Sequence, residues 1–417
     1  MIHFLSPLPP KKTGTADYLM QLLVDLEEDF GPKIKRNIKL WDQFDNRKDR
    51  DCLRDQGWQV DDVTKAYFAP KDIVFHFLAS NDFHRWVWAI LARRAAANTI
   101  SVVHDLTAFP LIRSMVRNPS CGLTRQDELL ALRYEFGMQS DWMADHFDDL
   151  PPTARYFLMG QGITLAHSDT VIVHSEYARM RLLTESVSGL PMPNLMVLEH
   201  PRPRFMPSVA MPSDAPEKDI FCVGSIGFYS FIKRNESLLE AFGAFVHTLN
   251  TKDRSRVHLV FVGKIDGHLR LEAEKILDRW AIRDLVSFTG YVEEEALQAW
   301  QKRIDLQMNL RFPSCGETSG TLARALALGK RVVCSRFAAF HEENATWMVD
   351  VNPVEEFPEL LHILTAEFVR WREGKSSSSA PPSLPRHSPK DQFSEFISSL
   401  ISGKDALKKA PELSAND

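Results

Sequence analysis

Residues 306–335 constrain the fold of this chain more than any other stretch. Leu306-Gln-Met-Asn-Leu310 reads as a short strand after a helical run, and Thr321-Leu-Ala-Arg-Ala-Leu-Ala-Leu328 is rich in strong helix formers. Gly329 stands where a helix would end, and Arg331-Val-Val-Cys-Ser335 reads as the next buried strand. Residues 311–320 between them are then a strand-to-helix turn at the carboxyl end of a parallel sheet, where open α/β folds bind ligands. Gly316 and Gly320 let the backbone approach a ligand, with Thr318 and Ser319 as small hydroxyl partners. The helix start favours a phosphate. A carboxylate does not bind phosphate, so Glu317 suits neutral hydroxyls. Phosphate and hydroxyls together describe a sugar nucleotide; the alternative is an ordinary helix start with a solvated glutamate.

At 417 residues the chain is long enough for two domains, and 44% apolar with 25% charged residues is a globular composition. The net charge of −5 gives no general attraction to nucleic acid. Cys52, Cys121, Cys222, Cys315 and Cys334 share no short spacing, fit neither a disulfide framework nor a zinc site, and suit a reducing compartment. No apolar run reaches the roughly 18 residues of a membrane span. Met1-Ile-His-Phe-Leu5 lacks the basic start of a signal peptide, so a cytoplasmic protein is expected.

Gly316-Glu-Thr-Ser-Gly320 followed by Leu322-Ala-Arg-Ala-Leu-Ala-Leu-Gly-Lys330 resembles the donor-site segment of family 4-like retaining glycosyltransferases of the GT-B fold. That resemblance implies an α/β protein of two doubly wound Rossmann-like domains facing a cleft. The acceptor-side domain would span residues 1–210 and the nucleotide-sugar domain 217–373.

In the first half, Ile2-His-Phe-Leu5, a proline-rich loop to Gly14 and a helical run over 16–30 form a strand–loop–helix unit. The resemblance puts Gly14 against the donor phosphates. Strands are expected at 73–78 and 99–104 with a helix over 83–97 between them, while 38–70 is too charged and irregular for its strands to be placed. Trp86, Trp88, Arg93 and Arg94 on that helix are either core or a membrane-facing surface. His104 ends a buried strand; it is either capped by a backbone carbonyl or, as the resemblance implies, close to the transferred sugar or acceptor. Thr107-Ala-Phe-Pro110 lacks the further histidine common in the family. Thr124-Arg-Gln-Asp127 is a capping box opening a helix through Tyr134. Asp145, Asp148 and Asp149 read as a solvated acidic loop in preference to a metal cluster. Asp169-Thr-Val-Ile-Val-His-Ser-Glu-Tyr177 is a strand leading into a helix, and the proline-rich 192–216 reads as a hinge.

In the second half, Val223-Gly-Ser-Ile-Gly227 is a glycine turn after a strand, and Asn235 is placed to cap the next helix. Lys233 and Arg234 precede that helix, an unfavourable position for cations unless an anion neutralises them. In the family a basic residue after the turn and another before the helix hold the pyrophosphate. Ser225 stands where the first is usually arginine, so only Lys233 carries over, with Arg234 as a helper. His258-Leu-Val-Phe-Val-Gly263 and Val286-Ser-Phe-Thr-Gly-Tyr291 match the family's nucleotide-contacting turns in order, with Tyr291 beside the base. The implied donor set is Gly14, Gly224, Ser225, Lys233, Arg234, Gly263, Tyr291, Glu317, Thr318, Ser319 and Gly320, with Glu317, His104 and Lys233 in the chemistry. Residues 374–388 form a Ser/Pro-rich linker, 389–402 hold a short helix that in the family returns to the first domain, and 403–417 read as a disordered tail.

The resemblance implies transfer of a hexose, mannose among the candidates, from a GDP- or UDP-sugar to a glycan or lipid-linked acceptor in surface polysaccharide synthesis. Retention, no cofactor, no required metal and a peripheral contact with the inner face of a membrane belong to the same implication. Arg324 departs from it, because the family's second glutamate, which holds the ribose, belongs there. Two rivals stand: a sugar-nucleotide epimerase of the same fold, and a non-catalytic sugar-binding or scaffold protein, which Ser225 and Phe109 leave open.

Overall fold

A computed structural model describes residues 1–44, 51, 53–94, 96, 98–201, 205, 209–314, 316–374 and 392–402. The linker beyond Gly374 and the tail from 403 lie outside the described residues, as do Cys52 and Cys315. The chain separates into two compact units. The first comprises Met1–Arg202, Cys315–Thr318 and Ser388–Asp417, and the second Pro203–Ser314 and Ser319–His387.

The first unit carries seven strands: β1 (Ile2–Leu5), β2 (Ile38–Asp42), β3 (Gln59–Asp62), β4 (Ile73–Leu78), β5 (Asn98–Val103), β6 (Thr170–Val173) and β7 (Asn194–Val197). They pair in parallel in the order β3-β2-β1-β4-β5-β6-β7. Alternate residues serve opposite faces. Phe4, Phe75, Phe77, Ile100 and Val102 enter one buried cluster, while Leu5, Val74, Leu78 and Val103 enter another. Continuous apolar strands follow from a sheet covered on both faces. The helix Gln392–Ile401 belongs to this unit, with Phe393, Phe396 and Ile397 in the first of those clusters.

The second unit has six parallel strands: β8 (Phe221–Ile226), β9 (Val257–Val262), β10 (Val286–Gly290), β11 (Leu306–Asn309), β12 (Arg331–Ser335) and β13 (Trp347–Val349). Their order is β10-β9-β8-β11-β12-β13. The order of connection reverses between β1 and β4 in the first sheet, and between β8 and β11 in the second. These are the switch points at which doubly wound sheets bind ligands.

Several local expectations change. Residues 38–70 do hold two strands, β2 and β3, on the outer side of β1. The helix expected over 83–97 is shorter, Arg85–Ala92, because Asn81 first caps a 3₁₀ turn, Asp82–His84, and Arg94 takes a left-handed φ of 50°. Trp88 on that helix is fully buried and donates to the Ala79 carbonyl at 3.2 Å, and Trp86 is partly buried. Trp88 therefore belongs to the core of the unit, as the first of its two alternatives had it, while Arg93 and Arg94 are exposed. Within residues 192–216, expected as a hinge, lie β7 and the division between the two units after Arg202. Asn235 is not the cap of its helix: the helix is Asn235–Thr248, and Arg234 precedes it in a left-handed conformation, φ 54°. Thr124 and Asp127 do form the capping box of the helix Arg125–Phe136. Asp148 pairs with Arg113 and Arg117, and Asp145 and Asp141 pair with Arg125. Among the described residues no group of three His, Cys, Asp or Glu side chains is placed to hold a metal.

Candidate active site

In the second unit the predicted donor residues gather at the carboxyl ends of β8 to β11. Gly224 is an exception, because it lies within β8 and not in the turn. A Cβ there would meet the Ile304 side chain at 2.2 Å, so this glycine serves core packing. The turn glycine is Gly227, at φ 109°, whose N–H donates to the Val262 carbonyl. Gly263, at φ 141°, leaves no room for a Cβ against the Gly227 carbonyl and bridges to Gly290. Three strand ends thus close together where glycines let the backbones approach. Tyr291 follows Gly290 and is half exposed.

Lys233 reaches back over this turn. Its Nζ donates to the Ile226 carbonyl at 2.8 Å, and a Cβ on Gly227 would lie 2.1 Å from it. Its charge therefore stands at the end of β8. Arg234, its neighbour, does not: its Nε donates to Glu356 at 2.9 and 3.2 Å, and Glu356 is buried on the helix Pro353–Arg372. Ser225 is buried and donates to Asn235 Oδ1 at 3.1 Å, which joins the end of β8 to the start of the next helix.

Ser319 caps the helix Gly320–Ala327, its Oγ accepting from the Leu322 N–H at 3.3 Å and donating to Asn309 at the end of β11. The first amides of that helix have no partner within it. A Cβ on Gly320 would meet no described atom within 4 Å. Arg324, where a carboxylate is expected, donates to Glu294 at 2.8 Å. Its partner stands on the helix Glu294–Arg303, a pairing across thirty residues of sequence that no local motif announces.

Gly316, Glu317 and Thr318 fall in the first unit. Gly316 has a φ of 73°, and a Cβ on it would strike Leu106 at 2.6 Å. Thr318 hydrogen-bonds His200 Nε2. Burial pushes the Asp105 carboxyl up to about 6, against a hydrogen bond from the Ser80 amide, and the nearby Glu317 charge adds to the rise. His104 follows β5, His174 follows β6 and His200 follows β7, and all three rings stand within 5.3 Å of Tyr18. His174 Nδ1 lies 2.8 Å from the Leu198 carbonyl and must be its donor, so Nε2 keeps a lone pair. Among the described residues, neither that Nε2 nor the Nε2 of His104 has a hydrogen-bond partner, although both are buried. Burial lowers His174 to about 4 and holds His104 well below the usual imidazole value, with the neighbouring histidines adding. These are neutral hydrogen-bonding groups at pH 7, suited to hydroxyls. The carbonyl-capped alternative weighed for His104 applies instead to His174. Sequence reasoning gave no site role to His174, His200, Tyr18 or Asp105, although Val-His recurs after two buried strands. Gly14 is the first residue of the helix Gly14–Phe30, and a Cβ there also meets no described atom within 4 Å.

The second unit therefore presents a glycine turn, an ammonium and a helix start, which suit a diphosphate. The first presents a carboxylate, a hydroxyl and neutral imidazoles, which suit sugar hydroxyls. Residues 217–366 match the family described as glycosyl transferases group 1. The chain has the GT-B fold and is similar to Anabaena Alr3699/HepE, solved in complex with UDP and glucose, at 12% identity over 97% of this chain and 100% of that one, TM-score 0.55. It is also similar to WaaG, a glycosyltransferase involved in lipopolysaccharide biosynthesis, at 10% identity over 97% and 100%, TM-score 0.56. The Candida albicans trehalose-6-phosphate phosphatase N-terminal domain matches at 10% identity over 97% and 96%, TM-score 0.58. At these identities the likeness is one of fold. Comparison with curated protein sequences finds no match.

Proposed function

We propose that the protein transfers a hexose from a nucleotide-diphosphate sugar to a glycan or lipid-linked acceptor, with retention of anomeric configuration and no required divalent ion. The observation that carries this reading is Lys233 lying over the Gly227 turn at the switch point of a group 1 domain. When the bond between the anomeric carbon and the phosphate oxygen breaks, negative charge develops on the nucleotide diphosphate. Lys233 and the amides at the start of Gly320–Ala327 are the groups in this unit suited to stabilise it. Removing one such donor typically costs about 10²- to 10³-fold in rate. Glu317 orients the sugar through its hydroxyls, and His104 serves the same chemistry on the acceptor side.

Alr3699/HepE binds UDP and glucose, and WaaG acts in lipopolysaccharide biosynthesis. A UDP-sugar is accordingly the first donor to try, GDP-mannose the second, and surface polysaccharide the first acceptor class. Among the described residues no helix is long and apolar enough to cross a membrane. Work at the inner face of a membrane would therefore rest on peripheral contact. The test is thermal denaturation against UDP- and GDP-sugars, followed by NMR of the product's anomeric proton. Stabilisation by one donor and a retained configuration are expected. No shift with any nucleotide sugar overturns the reading.

A further inference from the structure

A cavity of about 860 Å³ lies within the first unit, and nothing above assigns it. Its walls come from the segments just after four strands: Lys11 after β1, Gln43 after β2, Val63 after β3, and the helix Arg85–Ala92 with its flanks after β4. It therefore sits outside the carboxyl ends of the first sheet at its own switch point, between β1 and β4. A volume of this size accommodates a sugar of one or two rings.

The wall chemistry narrows the occupant. Phe68 and Trp86 supply apolar faces on which a sugar ring stacks. The Trp86 Nε1–H is buried and has no acceptor among the described residues, an arrangement that costs stability unless a ligand accepts from it. Three cations line the cavity. Lys11 is held by Asp42 at 2.6 Å, and Arg85 by Asp82 at 2.8 Å, so their charges are balanced. Arg93 is different: it is exposed, and among the described residues its guanidinium makes no ion pair. The remaining capacity is an uncompensated cation and an indole donor beside an aromatic wall. Its complement is an oxygen-rich ring carrying negative charge.

We propose that this cavity binds a sugar bearing an acidic group, carboxylate or phosphate, and that this sugar is the acceptor-side substrate. The assignment to the acceptor rests on the glycosyl-transfer reading; the binding itself does not. A guanidinium–anion pair with a donor alongside gives specificity for charge over shape, so a neutral isostere should be rejected.

The experiment is isothermal titration of the full-length chain with digalacturonate, its dimethyl ester and glucose 6-phosphate. At least one acid should bind, and the ester should bind about tenfold or more weakly than digalacturonate if the carboxylate is the recognised group. Tighter binding of digalacturonate assigns a carboxylate sugar; tighter binding of glucose 6-phosphate assigns a phosphosugar. Arg93→Gln, on the surface, should weaken the preferred acid about tenfold or more. Trp86→Phe, which keeps the ring and removes the N–H, should weaken it less. Failure of both acids to bind, or an affinity unchanged in Arg93→Gln, overturns the proposal. Nucleotide-sugar stabilisation is measured on the same samples and should be the same in Arg93→Gln as in the unaltered chain. A chain that binds acid through Arg93 but binds no nucleotide sugar loses the transferase reading and keeps the site. The opposite result loses the site and keeps the transferase.

Discussion

Arg234 holds Glu356 through two guanidinium nitrogens, while Lys233, one residue earlier, turns the other way to the end of β8. Two adjacent cations thus have separate tasks. Glu356 is 2% exposed, and removing its partner leaves a buried carboxylate uncompensated. Arg234→Ala should cost about 3 kcal/mol in chemical denaturation, at the low end for breaking a buried pair. Adding Glu356→Gln should restore part of it. Nucleotide affinity should change little; a large loss of affinity with normal stability would place Arg234 in the site.

Lys233→Met keeps the length of the side chain and removes its charge. Nucleotide-diphosphate affinity should fall about tenfold, because a charged hydrogen bond to phosphate is lost. Titration of UDP or GDP reads this directly, and equal affinity removes the lysine from the site.

Glu317→Gln preserves shape and weakens hydrogen bonds to sugar hydroxyls. Turnover should fall by about 10²-fold or more, since contacts that tighten in the transition state lower the barrier. Affinity for the free nucleotide diphosphate, which lacks the sugar, should hardly move. Normal turnover with the right donor and acceptor would return Glu317 to the status of a solvated helix-start residue.

Stability should fall on acidification from about pH 6.5 toward pH 4. Burial lowers His76 and His84 to about 3 and His174 to about 4, and His104 lies well below its usual value. Each binds a proton in the unfolded chain and not in the folded one across that window, so each favours unfolding as pH drops. Asp42 and Asp105, raised to about 6 by burial, act in the opposite direction below about pH 6. The histidines outnumber them. Urea midpoints at pH 7, 6 and 5 should decrease in that order, and His174→Gln should flatten the series.

Transfer should survive EDTA. Among the described residues no set of side chains is arranged as a metal site, and the proposed role of Lys233 gives the phosphate a cation of the protein's own. Activity abolished by chelation and restored by manganese would overturn this.

The strands that could be placed from sequence are those buried on both faces, such as β4 and β9, whose residues are nearly all apolar. β2 and β3 could not, because Lys39, Asp61 and Asp62 stand on the outer side of the sheet and break the pattern. Lys233 was legible because a strand, a glycine turn and a helix follow one another within fifteen residues. The histidine group was not, since His104, His174 and His200 meet only once the order β5-β6-β7 is known. Arg324 with Glu294, and Arg234 with Glu356, are likewise products of tertiary structure. In both pairs the sequence shows each charge and hides its partner.

The helix Gln392–Ile401 places Phe393, Phe396 and Ile397 in a core otherwise built from the first half of the chain. Three such side chains contribute roughly 5 to 9 kcal/mol of gross burial. On the ribosome that contribution arrives last. After β7 is made, roughly 190 residues must follow before the covering helix exists, about 10 to 40 s at ordinary translation rates. During that interval Phe75 and its neighbours face solvent or a chaperone. Synthesis from one end therefore cannot finish the first unit first, and a chain cut short in the linker would lose the closure of its earliest-made part.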